Sequence, residues 1–249
     1  MPPSHPSPPR RLHLAASRFE RLPRPITDVV CQPGWVHLGE PPIDWRAEVA
    51  EALALRNLPA AARLAAAWAF RTLQPRYTPA ELAAFYSTGD FRIFHYAAGD
   101  RLDFPDATFS FAFSEHFFEH LFLDQSIALL KECHRILQPG AVLRTSVPDA
   151  DLRTYLRPEA PAYPSRRMPW THHQKHKSRW NVYSLSAALR LAGFRPRPVV
   201  SCTMEGEFIE DVPAPDSAEY AGCPDPELLP RLGYLRRLPS LIVDGIKPA

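Results

Sequence analysis

Two histidines and a glutamate stand close together near the middle of the chain, at His116, Glu119 and His120. Their spacing fits the pattern H-x-x-E-H, in which a helix places two zinc-binding histidines on one face. A zinc ion there would need a third protein ligand, for which Glu205 or Glu207 is available. The alternative chemistry is proton transfer by His116, because imidazole is a common general base. A pocket histidine that only makes hydrogen bonds fits the same letters.

A second group of functional residue types lies between residues 157 and 179. This segment carries six basic residues and three histidines, His172, His173 and His176. As a lid over a ligand crevice, such groups receive an acidic substrate or position a carboxylate. As a solvated basic loop, they need no ligand at all. The three histidines are therefore candidate substrate-binding residues.

The surrounding sequence alternates between strand and helix patterns. Strands are predicted at 35–38, 91–96, 109–113, 141–147, near 199 and at 240–246, and helices at 124–137 and 184–192. This alternation is typical of an α/β, Rossmann-like fold with a mostly parallel sheet and helices on both faces. Ligands bind such sheets at the carboxyl edge, in the loops that follow the strands. Ser114, Glu115 and His116 follow one strand and are predicted to face that crevice.

The first half of the chain has a different texture. Residues 1–34 hold eight prolines and five arginines and are predicted to form an extended N-terminal arm. Residues 35–249 are predicted to form one domain. Within it, residues 46–87 are rich in alanine, and neither valine nor isoleucine occurs between residues 50 and 92. A helical segment is therefore expected there, and a buried parallel strand is not.

Bulk composition narrows the choice of partners and compartment. The 249 residues carry a formal net charge of +2, which provides no strong field to recruit nucleic acid. The four cysteines show no C-x-x-C pair or zinc-finger spacing. No secretory signal is visible, and the longest apolar stretch is too short to span a bilayer. A cytoplasmic protein without nucleic-acid or membrane partners is predicted.

Three stretches of the second half carry a family resemblance. They read GDRLDFPDATFSFAFSEHFFEHL at 99–121, KECHRILQPGAVLRTSVPD at 131–149 and HKSRWNVYSLSAALRLAGF at 176–194. Together with RRLPSLIVDGIKP at 236–248, they resemble class I S-adenosylmethionine-dependent methyltransferases of the type 11 group. This text matches at many more positions than the three-letter zinc pattern, so no metal site is predicted.

The resemblance implies S-adenosylmethionine as the cofactor and assigns roles to residues. Asp100 matches the acidic residue that accepts a hydrogen bond from the adenine amine, and Leu102 would flank the ring. His116 would point into the pocket, while Glu119 and His120 would hold the loop. The candidate cofactor-binding residues are Gly39, Glu40, Asp100, Arg101, Leu102, Ser114 and Glu115.

One part of the family pattern is degenerate. Family members bind the methionine end of the cofactor over a glycine-rich loop after the first strand, where the backbone approaches the ligand closely. After the strand at 35–38 come Gly39, Glu40 and two prolines, Pro41 and Pro42, which have no amide hydrogen to donate. No second strand is predicted before residue 91, so Glu40 is the substitute for the acid that binds the ribose. The helical segment 46–87 is expected to replace the usual first β–α units.

These observations leave three functions open. The first is methyl transfer to O, N or C of a small molecule, driven by proximity and orientation, with His116 removing a proton. The second is a non-catalytic methyltransferase-like protein that acts as a binding module, as the partner of another protein or as a homodimer. The third is the same fold used for chemistry other than methyl transfer. Retention of Asp100 and Ser114 favours the first function, and loss of the glycine loop favours the second.

Overall fold

The computed structural model describes residues 10–16, 24–39, 45–73, 77–94, 96, 99–151, 176–203, 205, 207–232 and 240–249. The strands in these ranges are β1 (Arg10–Ala16), β2 (Trp35–Gly39), β3 (Asp90–Ile93), β4 (Phe109–Glu115), β5 (Leu137–Pro148), β6 (Arg195–Cys202), β7 (Phe208–Glu210) and β8 (Ser240–Ile246). The helices are α1 (Arg24–Val30), α2 (Trp45–Ala54), α3 (Leu58–Leu73), α4 (Pro79–Thr88), α5 (Leu123–Ile136) and α6 (Val182–Leu191). A 3₁₀ turn spans Phe118–His120. In this described part of the chain, no helix has the length and apolarity needed to cross a bilayer.

The strands form one sheet in the order β3-β2-β1-β4-β5-β8-β6-β7. Neighbouring strands from β3 to β5 are parallel, and β8 runs antiparallel to both β5 and β6. The short β7 is antiparallel to β6 at the edge. The predicted α/β class with a mostly parallel sheet is therefore confirmed.

The N-terminal region is part of this sheet. The predicted arm over residues 1–34 is wrong, because Arg10–Ala16 form β1 and Arg24–Val30 form α1. β1 pairs with both β2 and β4, so it lies in the centre of the sheet, and the domain does not begin at residue 35. Leu12 and Leu14 are fully buried. Their alternation with polar neighbours is the period-two signal of a strand, which the proline-rich flanks obscured.

This shift changes the identity of the next elements. Trp35–Gly39 is the second strand of the fold and not the first, because β1 precedes it. The helices α2, α3 and α4 lie between β2 and β3, in the segment whose composition predicts helices. They therefore do not replace the first β–α units, which are present as β1, α1 and β2.

Helices cover both faces of the sheet, and each face has its own apolar core. On one face, strand side chains such as Leu14 pack in one cluster with Leu129 of α5 and Leu189 of α6. On the other face, Phe113 of β4 shares a cluster with Val30 of α1. Because helices cover both faces, every residue of β2, β4 and β8 is buried.

An irregularity within β5, where its register with β4 shifts, depends on a glycine. Gly140 has a φ of +77°, a left-handed conformation that costs an L-residue about 1–2 kcal/mol. A Cβ at this position would also overlap the carbonyl group of Gly222. We therefore expect Gly140→Ala to lower the free energy of unfolding in urea by about 2–4 kcal/mol.

Gly99 provides the matched control for this substitution. Its φ is +91°, yet a Cβ there would meet no atom within 4 Å. Gly99→Ala should thus lower the free energy of unfolding only by the cost of the left-handed backbone conformation, about 1 kcal/mol. Equal losses in the two variants would contradict the predicted overlap at Gly140.

Candidate active site

The sheet reverses its order between β1 and β4. From β1 the chain proceeds outward through β2 to β3 on one side, and from β4 to β5 on the other. Loops that leave the carboxyl ends of two such strands diverge, and a crevice opens between them. The end of β4, at Ser114 and Glu115, therefore lies at the place where this class of sheet binds ligands.

Buried hydroxyl groups line the ends of the two central strands. Ser114 of β4 is paired with Leu14 of β1 on one side and with Thr145 of β5 on the other. The hydroxyls of Ser114, Thr145 and Ser146 are buried and have no hydrogen-bond partner among the described residues. Most buried polar atoms in proteins are satisfied. Hydroxyls in this state can hydrogen-bond a polar ligand that enters the crevice.

The chain turns sharply at His116, directly after β4. His116 has a φ of +49°, in the left-handed region that few non-glycine residues adopt. Its backbone N–H donates to the carbonyl oxygen of Ser146 at 2.8 Å, which fixes the turn against β5. Strained backbone of this kind is often found at functional sites. The turn prevents His116 from continuing the strand.

The His116 ring lies between a carboxylate and a hydroxyl. Its Nδ1 lies 3.3 Å from Oε1 of Glu119, and its Nε2 lies 3.0 Å from the Ser240 hydroxyl. The carboxylate can only accept, so it favours the tautomer with the proton on Nδ1. Nε2 is then the basic nitrogen. A base oriented by an acidic partner is the arrangement that general-base catalysis requires.

The segment before α6 packs over Glu119. The backbone N–H groups of Lys177 and Ser178 donate to the carbonyl oxygen of Glu119 at 2.7 and 3.2 Å. The Ser178 hydroxyl donates to the carbonyl oxygen of Phe118 at 3.1 Å. As a result the His176 ring lies at right angles to His120, with 5.0 Å between ring centroids. His172 and His173 lie outside the described residues.

Asp149 anchors the carboxyl end of β5. It is buried, and its two carboxylate oxygens accept hydrogen bonds from the N–H groups of Asp151 and Cys202 at 3.0 and 2.8 Å. Burial raises the pKa of Asp149 above its ordinary value, although these two hydrogen bonds oppose the shift. Asp149 also forms a backbone bridge with Trp180. The residue therefore joins the β5 end to β6 and to the segment that carries His176.

Two side chains of α5 hydrogen-bond to the backbone of the loop after β3. Glu132 accepts from the Leu102 N–H at 2.8 Å, and Arg135 donates to the Leu102 carbonyl at 2.9 Å. Hydrogen bonds from Arg135 hold the pKa of Glu132 below its ordinary value. Leu102 is buried in the core next to α5. Asp100 and Arg101 are exposed on the outer side of the same loop.

The predicted glycine loop is in the wrong place. Gly39 ends β2, and its carbonyl oxygen accepts the Phe94 N–H at 3.0 Å. The residues that follow the first strand, 17–23, lie outside the described ranges and contain no glycine. Glu40 is the residue that follows β2, although it too lies outside the described ranges. Its position in the chain is the one at which the family places its ribose-binding acid.

The helix assumed for the H-x-x-E-H pattern is absent. His116 stands on a left-handed turn, and Glu119 and His120 lie in the 3₁₀ turn that follows. The described residues that could share a metal ion are Glu119, His120 and His176, and this group includes neither Glu205 nor Glu207. Sequence reasoning also missed Ser240, which is 124 positions from His116 and carries no local signal.

Part of the chain matches the model of a known domain family. Residues 62–145 match the model of a methyltransferase domain. No curated protein sequence matches the chain. Among solved structures, the Burkholderia thailandensis 1,6-didemethyltoxoflavin-N1-methyltransferase, with bound 1,6-didemethyltoxoflavin and S-adenosylhomocysteine, is 15% identical. The alignment covers 97% of this chain and 72% of that one, with a TM-score of 0.47.

Two further structures show the same level of similarity. A S-adenosylmethionine-dependent methyltransferase from Archaeoglobus fulgidus is 14% identical over 96% of this chain and 87% of its own, with a TM-score of 0.44. The cyclase SpnF is 15% identical, and the alignment covers 96% of this chain and 74% of that one, with a TM-score of 0.47. The matched residues 62–145 run from α3 into β5 and include Asp100 and Ser114 to His120. The part of the chain that carries Ser114 and His116 thus matches a methyltransferase-domain model, and the resemblance predicted from the sequence is confirmed.

Proposed function

We propose that this protein transfers a methyl group from S-adenosylmethionine to a small-molecule acceptor in the crevice beside β4. The observation that carries the proposal is the position of the family match. Residues 62–145 include β4 and the turn at His116, and β4 pairs with the central strand β1 at the reversal of the sheet. The family match and the strand order therefore both indicate a ligand site at the carboxyl end of β4.

Residues near the end of β4 and in the segments that follow β2 and β3 fit the cofactor. Glu40 follows β2, where a carboxylate can accept hydrogen bonds from the ribose hydroxyls. Asp100 follows β3 and can accept one from the adenine amine. Ser114 ends β4 with a buried hydroxyl that has no partner among the described residues. When bound, S-adenosylmethionine supplies an electrophilic methyl group on a sulfonium.

The end of β1 departs from the family pattern. Residues 17–23 read SRFERLP, so the backbone there cannot use glycine to approach the ligand closely. The methionine end of the cofactor is then held with fewer backbone contacts than in a glycine-rich loop. We therefore expect the adenosine end to provide most of the binding free energy.

His116 is the residue that we assign to proton removal. Glu119 orients its ring through Nδ1, which leaves Nε2 to accept a proton from the O–H or N–H group of the acceptor. Ser240 contacts Nε2 at 3.0 Å, so its hydroxyl must turn away or relay the proton when the acceptor binds. The reaction otherwise depends on alignment of the acceptor atom with the methyl–sulfur bond.

The acceptor is proposed to be a small molecule with an acidic group. The segment 157–179, of which the structure describes only residues 176–179, carries six basic residues and three histidines, and such groups favour an anionic ligand. His176, the described histidine of that segment, contacts the ring of His120 at the edge of the site. His172 and His173 remain predicted substrate contacts.

Calorimetric titration with S-adenosylhomocysteine and S-adenosylmethionine tests the proposal. We expect one site per chain, and Asp100→Ala should raise the dissociation constant about 10- to 100-fold, because a hydrogen bond to a charged group contributes roughly 1.5–3 kcal/mol. Asp103→Ala is the matched control, since Asp103 is exposed three positions further along the same loop. Its dissociation constant should change less than about twofold.

Two results would overturn the proposal. Folded protein that releases no heat at high micromolar ligand would instead favour a non-catalytic binding module. Equal effects of the Asp100 and Asp103 substitutions would show that the adenosine site has been misplaced.

A further inference from the structure

We propose that Glu119, His120 and His176 bind a divalent transition-metal ion of the zinc type at the rim of the crevice. One ligand atom from each residue lies within 4.8 Å of the other two. Ligand atoms in a tetrahedral zinc site are about 3.4 Å apart, because zinc–nitrogen and zinc–oxygen bonds are about 2.1 Å long. Side-chain rotations that bring the atoms up to about 1.4 Å closer therefore complete the site. This inference does not depend on methyl transfer.

The glutamate is buried in a way that requires a cation or a donor. The Glu119 side chain is 2% exposed, and its Oε2 has no hydrogen-bond partner among the described residues. Removing a carboxylate from water is costly unless it is paired, and a metal ion provides that pairing. Oε1 already lies 3.3 Å from Nδ1 of His116. In many metal sites a ligating carboxylate is oriented by a hydrogen bond from a neighbouring residue, and His116 can fill this role for Glu119.

The third ligand is held in place by backbone hydrogen bonds. Lys177 and Ser178 both donate to the Glu119 carbonyl oxygen, and the Ser178 hydroxyl donates to Phe118. His176 immediately precedes this pair. Its proximity to Glu119 is consequently a product of the same packing that builds the site. The three residues come from two segments that lie far apart in the chain.

The donor set indicates the class of metal. Two imidazole nitrogens and one carboxylate oxygen suit zinc, cobalt or iron(II), whereas magnesium and calcium prefer oxygen ligands throughout. Three protein ligands leave at least one position for water or for an oxygen of the acceptor. His120 and His176 are both partly exposed, so an ion can reach the site from solvent.

The test uses the full chain after treatment with a chelator. Titration with Zn²⁺ in a calorimeter and with Co²⁺ in a visible spectrophotometer should each show one ion per chain, and bound Co²⁺ should show the absorption bands of a four- or five-coordinate site. His120→Ala and His176→Ala should each weaken binding at least about tenfold, because each removes one of three ligands. Glu119→Gln should do the same without changing the side-chain volume.

His134→Ala is the matched control. His134 lies on α5 against Gly193 and Phe194, away from the cluster, and is similarly half-buried. It should leave the stoichiometry and affinity unchanged, with folding checked for every variant by circular dichroism. Absence of a stoichiometric ion in the wild-type protein, or unchanged affinity in both His120→Ala and His176→Ala, would overturn the proposal. So would an equal loss in His134→Ala.

A titration with S-adenosylhomocysteine on the same variants separates this proposal from the proposed function. The residues assigned to the cofactor are not among the three ligands. Cofactor binding that survives in His176→Ala while metal binding is lost is the expected result. Loss of cofactor binding with intact metal binding would contradict the proposed methyl transfer and would leave the metal site supported.

Discussion

Replacing Asp244 by alanine is expected to lower the free energy of unfolding by about 3–5 kcal/mol. Asp244 of β8 and Arg144 of β5 are opposite each other in the sheet and are both fully buried. The guanidinium Nε and Nη2 each lie 2.7 Å from a carboxylate oxygen. Removal of the carboxylate leaves a charged guanidinium in the core, which is far more costly than loss of the pair itself.

Neighbouring groups complete the network around this ion pair. The Tyr220 hydroxyl donates to Oδ2 of Asp244 at 2.6 Å, and Arg144 also donates to the Leu229 carbonyl. Burial and then the Asp244 charge raise the pKa of Tyr220, so its hydroxyl remains a donor. The network connects β5 and β8 to the segment 211–232 that covers this face. We expect the loss to appear in a cooperative urea transition.

Two controls separate charge burial from general damage. The double substitution Arg144→Met with Asp244→Leu removes both charges and should recover most of the loss, because apolar residues of similar volume replace buried pairs well. Arg92→Ala breaks an exposed pair with Asp90 and should cost less than about 1 kcal/mol. A loss below about 1 kcal/mol in Asp244→Ala would contradict the prediction.

Lowering the pH from 7.5 to 4.5 is expected to destabilise the protein through two buried histidines. His13 of β1 and His37 of β2 are paired across the centre of the sheet, with 3.3 Å between their Nδ1 atoms. Each side chain is 1% exposed. Burial holds the pKa of His13 well below its ordinary value, and the charge of His37 adds to the shift. Burial lowers the pKa of His37 to about 4.

The direction of the effect follows from proton binding in the two states. In the unfolded chain both histidines take up a proton near their ordinary pKa of about 6.5, whereas in the folded chain they remain neutral to lower pH. Stability is therefore complete above about pH 6.5 and falls with decreasing pH by up to about 1.4 kcal/mol per pH unit for each histidine. For His37 the decline ends near pH 4.

The contribution of the pair is measured against a variant that lacks it. Urea denaturation between pH 4.5 and 7.5 should give a steep decline for the wild-type protein. His13→Phe with His37→Phe keeps aromatic rings against Phe113 and Phe91 and should give a shallower slope, since the two buried histidines no longer contribute to proton uptake on unfolding. Equal slopes in the two proteins would show that the pair does not control acid stability.

The second half of the fold could be predicted from local patterns. Strand β8 at Ser240–Ile246 begins and ends where the sequence predicts it, and α5 and α6 differ from their predicted bounds by one or two residues. Apolar runs that end in Pro-Gly or Ala-Gly turns set these bounds, and neighbours in the chain suffice to produce them. Asn181 is the N-cap of α6, and its side chain accepts a hydrogen bond from the Ser184 N–H. In return, the Asn181 N–H donates to the Ser184 hydroxyl, so the two residues form a capping box.

The first half could not be predicted in the same way. Arg10–Ala16 has only two apolar residues in alternation, and its strand character comes from pairing with β2 and β4 on both sides. Because this strand was missed, the strand at Trp35–Gly39 was taken as the first of the fold and the segment 46–87 as a replacement for the first β–α units. Gly39 was thereby given the role of a loop after the first strand, although it ends the second.

The sequence alone determined the fold class of this protein and indicated the edge of the sheet at which we propose that it binds its ligands, because motifs at 99–149 specify consecutive turns and strand ends. Only the tertiary structure decided which side chains meet there. Ser240 reaches His116, and His176 reaches His120, through strand pairing and backbone contacts between distant segments. Such convergence has no local signature, since it depends on how the sheet is ordered and on which segment packs over its edge.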